Sequence, residues 1–112
     1  MMPKTDIEQA AQIIGSAMYQ QVPGGEVQVE PTIDGLGVEI VRLMAGTEGR
    51  GDGSRAMRAA VNLADEFGVQ LLLTPDGSYY EDETAAATRL RNFYARFGFM
   101  PTGTRRMIRN PV

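Results

Sequence analysis

The sequence predicts a mixed α/β fold, because short β-branched or apolar runs alternate with segments whose apolar residues have helical spacing. The clearest example begins with the β-branched strand Val38 to Leu43, which leads through a glycine-rich loop into an amphipathic helix from Ser54 to Phe67. The run Val69 to Leu73 follows and is almost entirely apolar, as expected for a central strand covered on both faces. A strand, a helix and a further strand in this order are typical of the α/β class.

The segment before this unit predicts a helix and a β-hairpin. The helix should run from Thr5, which begins a capping box, to about Gln20. The segment Glu26 to Glu30 alternates polar and apolar residues like a half-buried strand. Asp34-Gly35 has the composition of a hairpin turn and leads into a second strand, Gly37 to Met44.

The central helix should have one buried and one exposed face, and Gly68 should end it. The apolar stripe that should face the sheet consists of Met57, Ala60, Val61, Ala64 and Phe67. The residues left for solvent are Arg55, Arg58, Asn62, Asp65 and Glu66.

The C-terminal part predicts one more helix and two short strands. The helix should begin near Thr84 and carry apolar residues along one face as far as Phe97, with Gly98 as its stop. The strands are expected at Phe99 to Pro101 and at Arg105 to Ile108.

Composition limits the function classes. A chain of 112 residues that is 43% hydrophobic should form a single domain, residues 1–112. The chain has no cysteine, so it can form neither disulfides nor thiolate zinc sites. It has no histidine, so a histidine base is excluded, and we expect no metal site. No signal peptide or membrane-spanning run is visible, so we expect a cytoplasmic protein without a membrane partner. Residues 88–112 carry six arginines and no acid, but the net charge of -3 disfavours nucleic-acid binding.

The segment Glu48 to Ser54 has the properties of a phosphate-binding loop. Gly49, Gly51 and Gly53 let the backbone turn tightly, and the helix that follows adds unpaired N–H groups and the positive end of its dipole. A Walker loop is excluded because no lysine follows the last glycine, and a dinucleotide fingerprint is excluded by the glycine spacing. The segment resembles the acetyl-CoA signature of the GNAT superfamily of N-acetyltransferases, Gln/Arg-x-x-Gly-x-Gly/Ala, with Glu48 at the first position.

A second signature of that superfamily follows in the right order, as Phe93-Tyr94-Ala95-Arg96-Phe97-Gly98-Phe99. The resemblance covers roughly residues 36 to 110. It implies a mixed, mainly antiparallel central sheet flanked by helices and shortened at the N-terminus. A shortened sheet exposes edges and apolar surface, so a homodimer is expected.

The resemblance also implies where acetyl-CoA binds. In the superfamily two strands splay apart, and the pantetheine arm lies along the first of them like an added strand, which corresponds here to Val41, Arg42 and Leu43. Arg50 could add charge-assisted hydrogen bonds to the pyrophosphate. The loop residues that would hold the pyrophosphate are Gly49, Arg50, Gly51, Asp52, Gly53 and Ser54.

By the same resemblance, the reaction is direct transfer of an acetyl group from acetyl-CoA to a primary amine, which could be a protein lysine, a protein N-terminus or a small molecule. Tyr94 matches the tyrosine that protonates the departing CoA thiolate, and Glu39 is the candidate general base on the strand before the loop. The acidic residues Glu81, Asp82 and Glu83 could attract a cationic acceptor.

A second hypothesis is a catalytically inactive GNAT-like protein that binds CoA or a protein partner. Glu48 and Asp52 favour it, because carboxylates near a pyrophosphate repel it. So do Ala87 and Thr88, which stand where the superfamily often has a pantetheine-binding Asn. Tyr94 would then be an aromatic residue that packs against the sheet.

Overall fold

Helices and strands alternate along the residues that the computed structural model describes, which are 6–47, 49–75 and 83–112. The helices are α1 (Asp6–Gln20), α2 (Asp52–Phe67) and α3 (Glu83–Ala95). The strands are β1 (Glu26–Pro31), β2 (Gly37–Met44), β3 (Gln70–Leu73), β4 (Met100–Pro101) and β5 (Met107–Arg109). The predicted capping box at Thr5, the loop residue Glu48 and the acidic residues Glu81 and Asp82 lie outside the described residues.

The strands form one mixed sheet in the order β1-β2-β3-β5-β4. The contacts β1/β2, β3/β5 and β4/β5 are antiparallel, whereas β2 and β3 are parallel. Helix α2 makes the crossover that joins the two parallel strands, as such a pair requires. The predicted fold class, a mixed and mainly antiparallel sheet flanked by helices, is therefore confirmed, and the arrangement is consistent with a GNAT-like fold.

The β1–β2 hairpin turns where the sequence predicts it. Gly35 has a φ of 71°, its N–H donates to the Thr32 carbonyl at 2.9 Å, and the Thr32 N–H donates to the Gly37 carbonyl at 2.9 Å. The Asp34 carboxylate accepts hydrogen bonds from the Thr32 hydroxyl and from the Leu36 N–H. These two donors lower the pKa of Asp34, the hydroxyl most strongly.

Helices α1 and α2 pack on the same face of the sheet, because α1 contacts α2 as well as β1 and β2. The centre of the core is fully buried and combines Ile14 and Met18 from α1, Met57 from α2, and Val38 and Leu71 from the strands. Removing such side chains from water is the main stabilising contribution to a domain of this size.

The apolar stripe of α2 is buried as the sequence predicts. Its one exception is Phe67, which lies partly buried at the edge of the core. The helix begins at Asp52, two residues before the predicted start at Ser54, because Gly51 serves as the N-cap. It ends at Gly68, whose φ of 69° and N–H bond to a carbonyl of the last turn confirm the predicted stop.

The C-terminal strands are displaced from their predicted bounds. Strand β5 begins at Met107 and not at Arg105, because the two preceding arginines lie exposed in a turn. In that turn the Thr102 hydroxyl donates to the Arg106 carbonyl at 2.9 Å, and the Arg106 N–H donates to the Thr104 hydroxyl at 3.1 Å. These bonds use backbone groups that a longer strand would need for its ladder.

A partly buried ion pair joins α2 to β5. The Arg109 guanidinium donates two hydrogen bonds to the Asp65 carboxylate, at 2.7 and 3.0 Å, and its Nε donates to the Phe97 carbonyl at 2.7 Å. The Val112 N–H also donates to Asp65, at 3.0 Å. The hydrogen bonds from Arg109 hold the pKa of Asp65 below its usual value. Asp65, expected to be left for solvent, keeps 30% of its side chain exposed but is paired with Arg109.

Candidate cofactor-binding site

Strand β2 extends beyond the strand that pairs with it. The parallel register runs from Gly37 opposite Gln70 to Ile40 opposite Leu73, where β3 ends. Strand β2 continues to Met44, and no described strand pairs with residues 41–44 on the β3 side. An extended ligand could add itself as a strand on that side without displacing any described strand.

A β-bulge lies at the point where this pairing stops. Against β1, Val29 is opposite Ile40 but Gln28 is opposite Arg42, so Val41 is the extra residue of β2. A bulge bends its strand and leaves one residue out of the ladder. The three residues predicted to line the pantetheine arm therefore stand in this irregular half of β2, with Val41 and Arg42 exposed and Leu43 partly buried against the core.

The glycine-rich loop joins this half-strand to α2. Gly49 and Gly51 have φ angles of 80° and 78°, a left-handed conformation that residues with a Cβ rarely adopt. Gly51 is the N-cap of α2 and makes no side-chain cap hydrogen bond. Gly49, Arg50 and Gly51 are exposed, and Gly53 and Ser54 are partly buried at the start of the helix. The loop thus presents exposed backbone at the positive end of a 16-residue helix, where anions are stabilised.

Asp52, a carboxylate expected to repel a pyrophosphate at the loop, is buried in the structure. Its side chain is 1% exposed, and its Oδ1 accepts a hydrogen bond from the Arg55 guanidinium. Arg55, predicted to be left for solvent, is 47% exposed and folds back towards the loop: its Nη1 lies 3.3 Å from where a Gly51 Cβ would be. The spacing of an acid and an arginine at i and i+3 on a helix was the available sequence signal for this pair.

Tyr94 lies on α3 in an aromatic cluster beside the loop. Its ring meets Phe93 edge to face at 5.2 Å between ring centroids, and Phe99 at 6.1 Å. The Phe93 ring comes within 4.0 Å of the position of a Gly53 Cβ, so the end of α3 packs next to the start of α2. Tyr94 is partly buried against the core. The structure therefore brings the second signature next to the first.

Glu39 lies on β2, two residues before the bulge, and is partly exposed. Its sheet neighbours are Glu30 on β1 and Leu72 on β3. Val38 and Ile40, on either side of it, point into the core that α1 and α2 cover, so Glu39 projects from the opposite face of the sheet. It therefore lies in the half of β2 that is paired on both edges, and no hydrogen bond joins it to a described loop residue.

Comparison with known protein families, curated proteins and solved structures found no match to this chain. None of the helices in the described ranges is both long enough and apolar enough to cross a membrane. Among the same residues, no three acidic side chains converge in a way that could hold a metal ion. The case for a function therefore depends on the loop, on β2 and on α3.

Proposed function

We propose that this protein is an N-acetyltransferase that transfers an acetyl group from acetyl-CoA to a primary amine. One observation carries the proposal: the parallel pairing of β2 ends at Ile40, the strand continues to Met44 with no described strand on that side, and it then leads into the glycine-rich loop. An extended ligand with a phosphate at one end could follow this path without displacing any described strand. Acetyl-CoA has that shape, and the two signature segments resemble those of proteins that bind it.

The residues present fit such a ligand. Backbone groups of Val41, Arg42 and Leu43 would bind the pantetheine arm on the side where β2 has no partner. The exposed backbone of the loop and the N-terminus of α2 would hold the pyrophosphate. The exposed Arg50 would supply charge-assisted hydrogen bonds.

Acetyl-CoA supplies an activated acetyl thioester. The acceptor nitrogen would bond to the thioester carbonyl carbon as the carbon–sulfur bond breaks, and backbone N–H groups near the Val41 bulge would stabilise negative charge on the carbonyl oxygen. Tyr94 would give its phenolic proton to the sulfur, since a phenol is protonated at neutral pH. Glu39 would accept the proton that the amine loses, directly or through water.

A GNAT-like protein without catalysis is the second candidate. The aromatic cluster favours it, because edge-to-face contacts with Phe93 and Phe99 give the Tyr94 ring a packing role. Ala87 and Thr88, on the preceding turns of α3, present no side-chain amide to a pantetheine arm. In this case CoA would still bind, or a protein partner would occupy the open side of β2.

Binding is tested by isothermal titration of acetyl-CoA and CoA into the wild-type protein and Gly51→Val. Valine at this position requires a strained left-handed backbone and places its Cβ 3.3 Å from Arg55, so the affinity should fall steeply. Gly68→Val is the matched control, because Gly68 has the same backbone conformation with open space around it, at the far end of α2. Absence of binding to folded wild-type protein, or equal effects of the two variants, would contradict the proposed site.

A further inference from the structure

The buried Asp52 and the half-exposed Arg55 form an ion pair beside the glycine-rich loop. Asp52 Oδ1 accepts the hydrogen bond from Arg55 Nη2, whereas Oδ2 is buried without a hydrogen-bond partner among the described residues. A buried carboxylate is costly unless it is paired. Arg55 is the cation that the described structure provides for it, so the position of the guanidinium is set by Asp52.

The geometry places the other side of the Arg55 guanidinium towards the loop. Nη2 is used by Asp52, and Nη1 faces Gly51, the N-cap of α2. The Arg55 N–H donates to the Gly51 carbonyl at 3.0 Å, which fixes the arginine backbone one turn from the loop. An arginine has five N–H donors in a rigid fork, so one carboxylate bond leaves others for a phosphate.

We propose that Arg55 binds a phosphate group of the ligand and that Asp52 is a positioning residue that holds the guanidinium over the loop. This inference rests on the proposed function and extends it to two side chains. The charge of Asp52 then favours binding, because an Arg55 side chain already held by Asp52 loses less conformational freedom when it binds the phosphate. A simple count of charges would assign Asp52 the opposite effect, since carboxylates repel phosphates.

The test measures the affinity of CoA and of inorganic pyrophosphate for wild-type protein, Arg55→Gln, Asp52→Asn and the double variant. Loss of a charge-assisted hydrogen bond should weaken binding by roughly ten- to a hundredfold in Arg55→Gln. Asp52→Asn should weaken it as well, with little further effect in the double variant. Arg58→Gln is the control, because Arg58 is exposed on the same helix and removes the same charge; its effect should stay within about threefold.

Each remaining outcome has a distinct meaning. Tighter binding by Asp52→Asn in both backgrounds would overturn the positioning role. Equal effects of Arg55→Gln and Arg58→Gln would overturn the role of Arg55, while CoA binding by the wild-type protein would leave the proposed function intact. No binding of either probe to the folded wild-type protein would overturn both.

Two further measurements separate positioning from folding. Thermal unfolding of every variant shows whether its fold persists, and Arg55→Lys should recover part of the affinity, because it restores the charge without the fork. In the nitrogen NMR spectrum of the arginine side chains, the Arg55 signal should shift on addition of pyrophosphate, and that of Arg58 should not. An unmoved Arg55 signal under saturating pyrophosphate would overturn the proposal even if Asp52→Asn fails to fold.

Discussion

Replacement of Asp65 by alanine should destabilise the fold much more than loss of the exposed charge of its neighbour Glu66. The change leaves Arg109, whose side chain is 8% exposed, without a carboxylate and removes the acceptor of the Val112 N–H. Removal of one partner from a buried pair costs about 3–5 kcal/mol, and the 30% exposure of Asp65 favours the lower figure. For a domain of this length, about 3 kcal/mol lowers Tm by roughly 13 °C.

The assay is urea and thermal unfolding followed by far-UV circular dichroism, since the chain has no tryptophan. Glu66→Ala is the control, because Glu66 is the next residue on the same helix and is exposed. The double variant Asp65→Ala with Arg109→Met should recover part of the loss, because it leaves no unpaired charge. A loss below about 1 kcal/mol in Asp65→Ala would refute the reasoning, since that is the range of surface pairs.

The same pair should give the stability a dependence on pH in the acid range. The pKa of Asp65 is lowered in the folded state, so its stabilising contribution is fully present above the unfolded value of 3.8 and is lost as the pH falls further, through the folded value. The difference in free energy of unfolding between wild type and Asp65→Asn should therefore be constant above that pH and shrink below it. A constant difference throughout the acid range would exclude this linkage.

Three other predictions follow from the candidate site and the sheet. In an assay of thiol release, Tyr94→Phe should lower turnover by about a hundredfold and leave the CoA affinity unchanged. Tyr19→Phe, on the exposed side of α1, should change neither turnover nor affinity. Glu39→Gln should lower turnover more than Glu30→Gln, its cross-strand neighbour, and equal rates would exclude Glu39 as the base. Light scattering after size exclusion should show a homodimer. Leu36→Glu, at the exposed hairpin turn beside the edge strand β1, should shift the protein towards monomer. A monomeric wild type would contradict the expectation.

Local patterns predicted most of the fold. The stripe of α2, the stop at Gly68 and the turn at Asp34-Gly35 depend on residues within a few positions of one another, and the structure agrees with each. The bounds of β5 were wrong, because hydroxyl bonds in the turn around Thr104 compete with the ladder. That competition is set by the side chains of a few neighbouring threonines and not by hydrophobic alternation.

The parts of the site that were missed depend on distant or buried partners. Periodicity assigned Asp65 to solvent, but its partner Arg109 is 44 residues away in the chain, and only the assembled sheet brings the two together. The Asp52 carboxylate was expected to repel a phosphate at the loop. However, α2 starts two residues earlier than predicted, so Asp52 belongs to the helix and its side chain is buried. The bulge at Val41 has no sequence marker either, since it appears only in the register between two strands.

Strand β2 belongs to two energetically different parts of the molecule. From Gly37 to Ile40 it is held on both edges, and its side chains Val38 and Ile40 are part of the core, so changes there affect whether the protein folds. Beyond the bulge, among the described residues, only β1 pairs with it, so fewer backbone hydrogen bonds within the described sheet hold this half of the strand. Substitutions at the exposed Val41 and Arg42 should therefore cost little stability, whereas Leu43 still packs against the core, so adaptation to a ligand is separated from maintenance of the fold at those two positions.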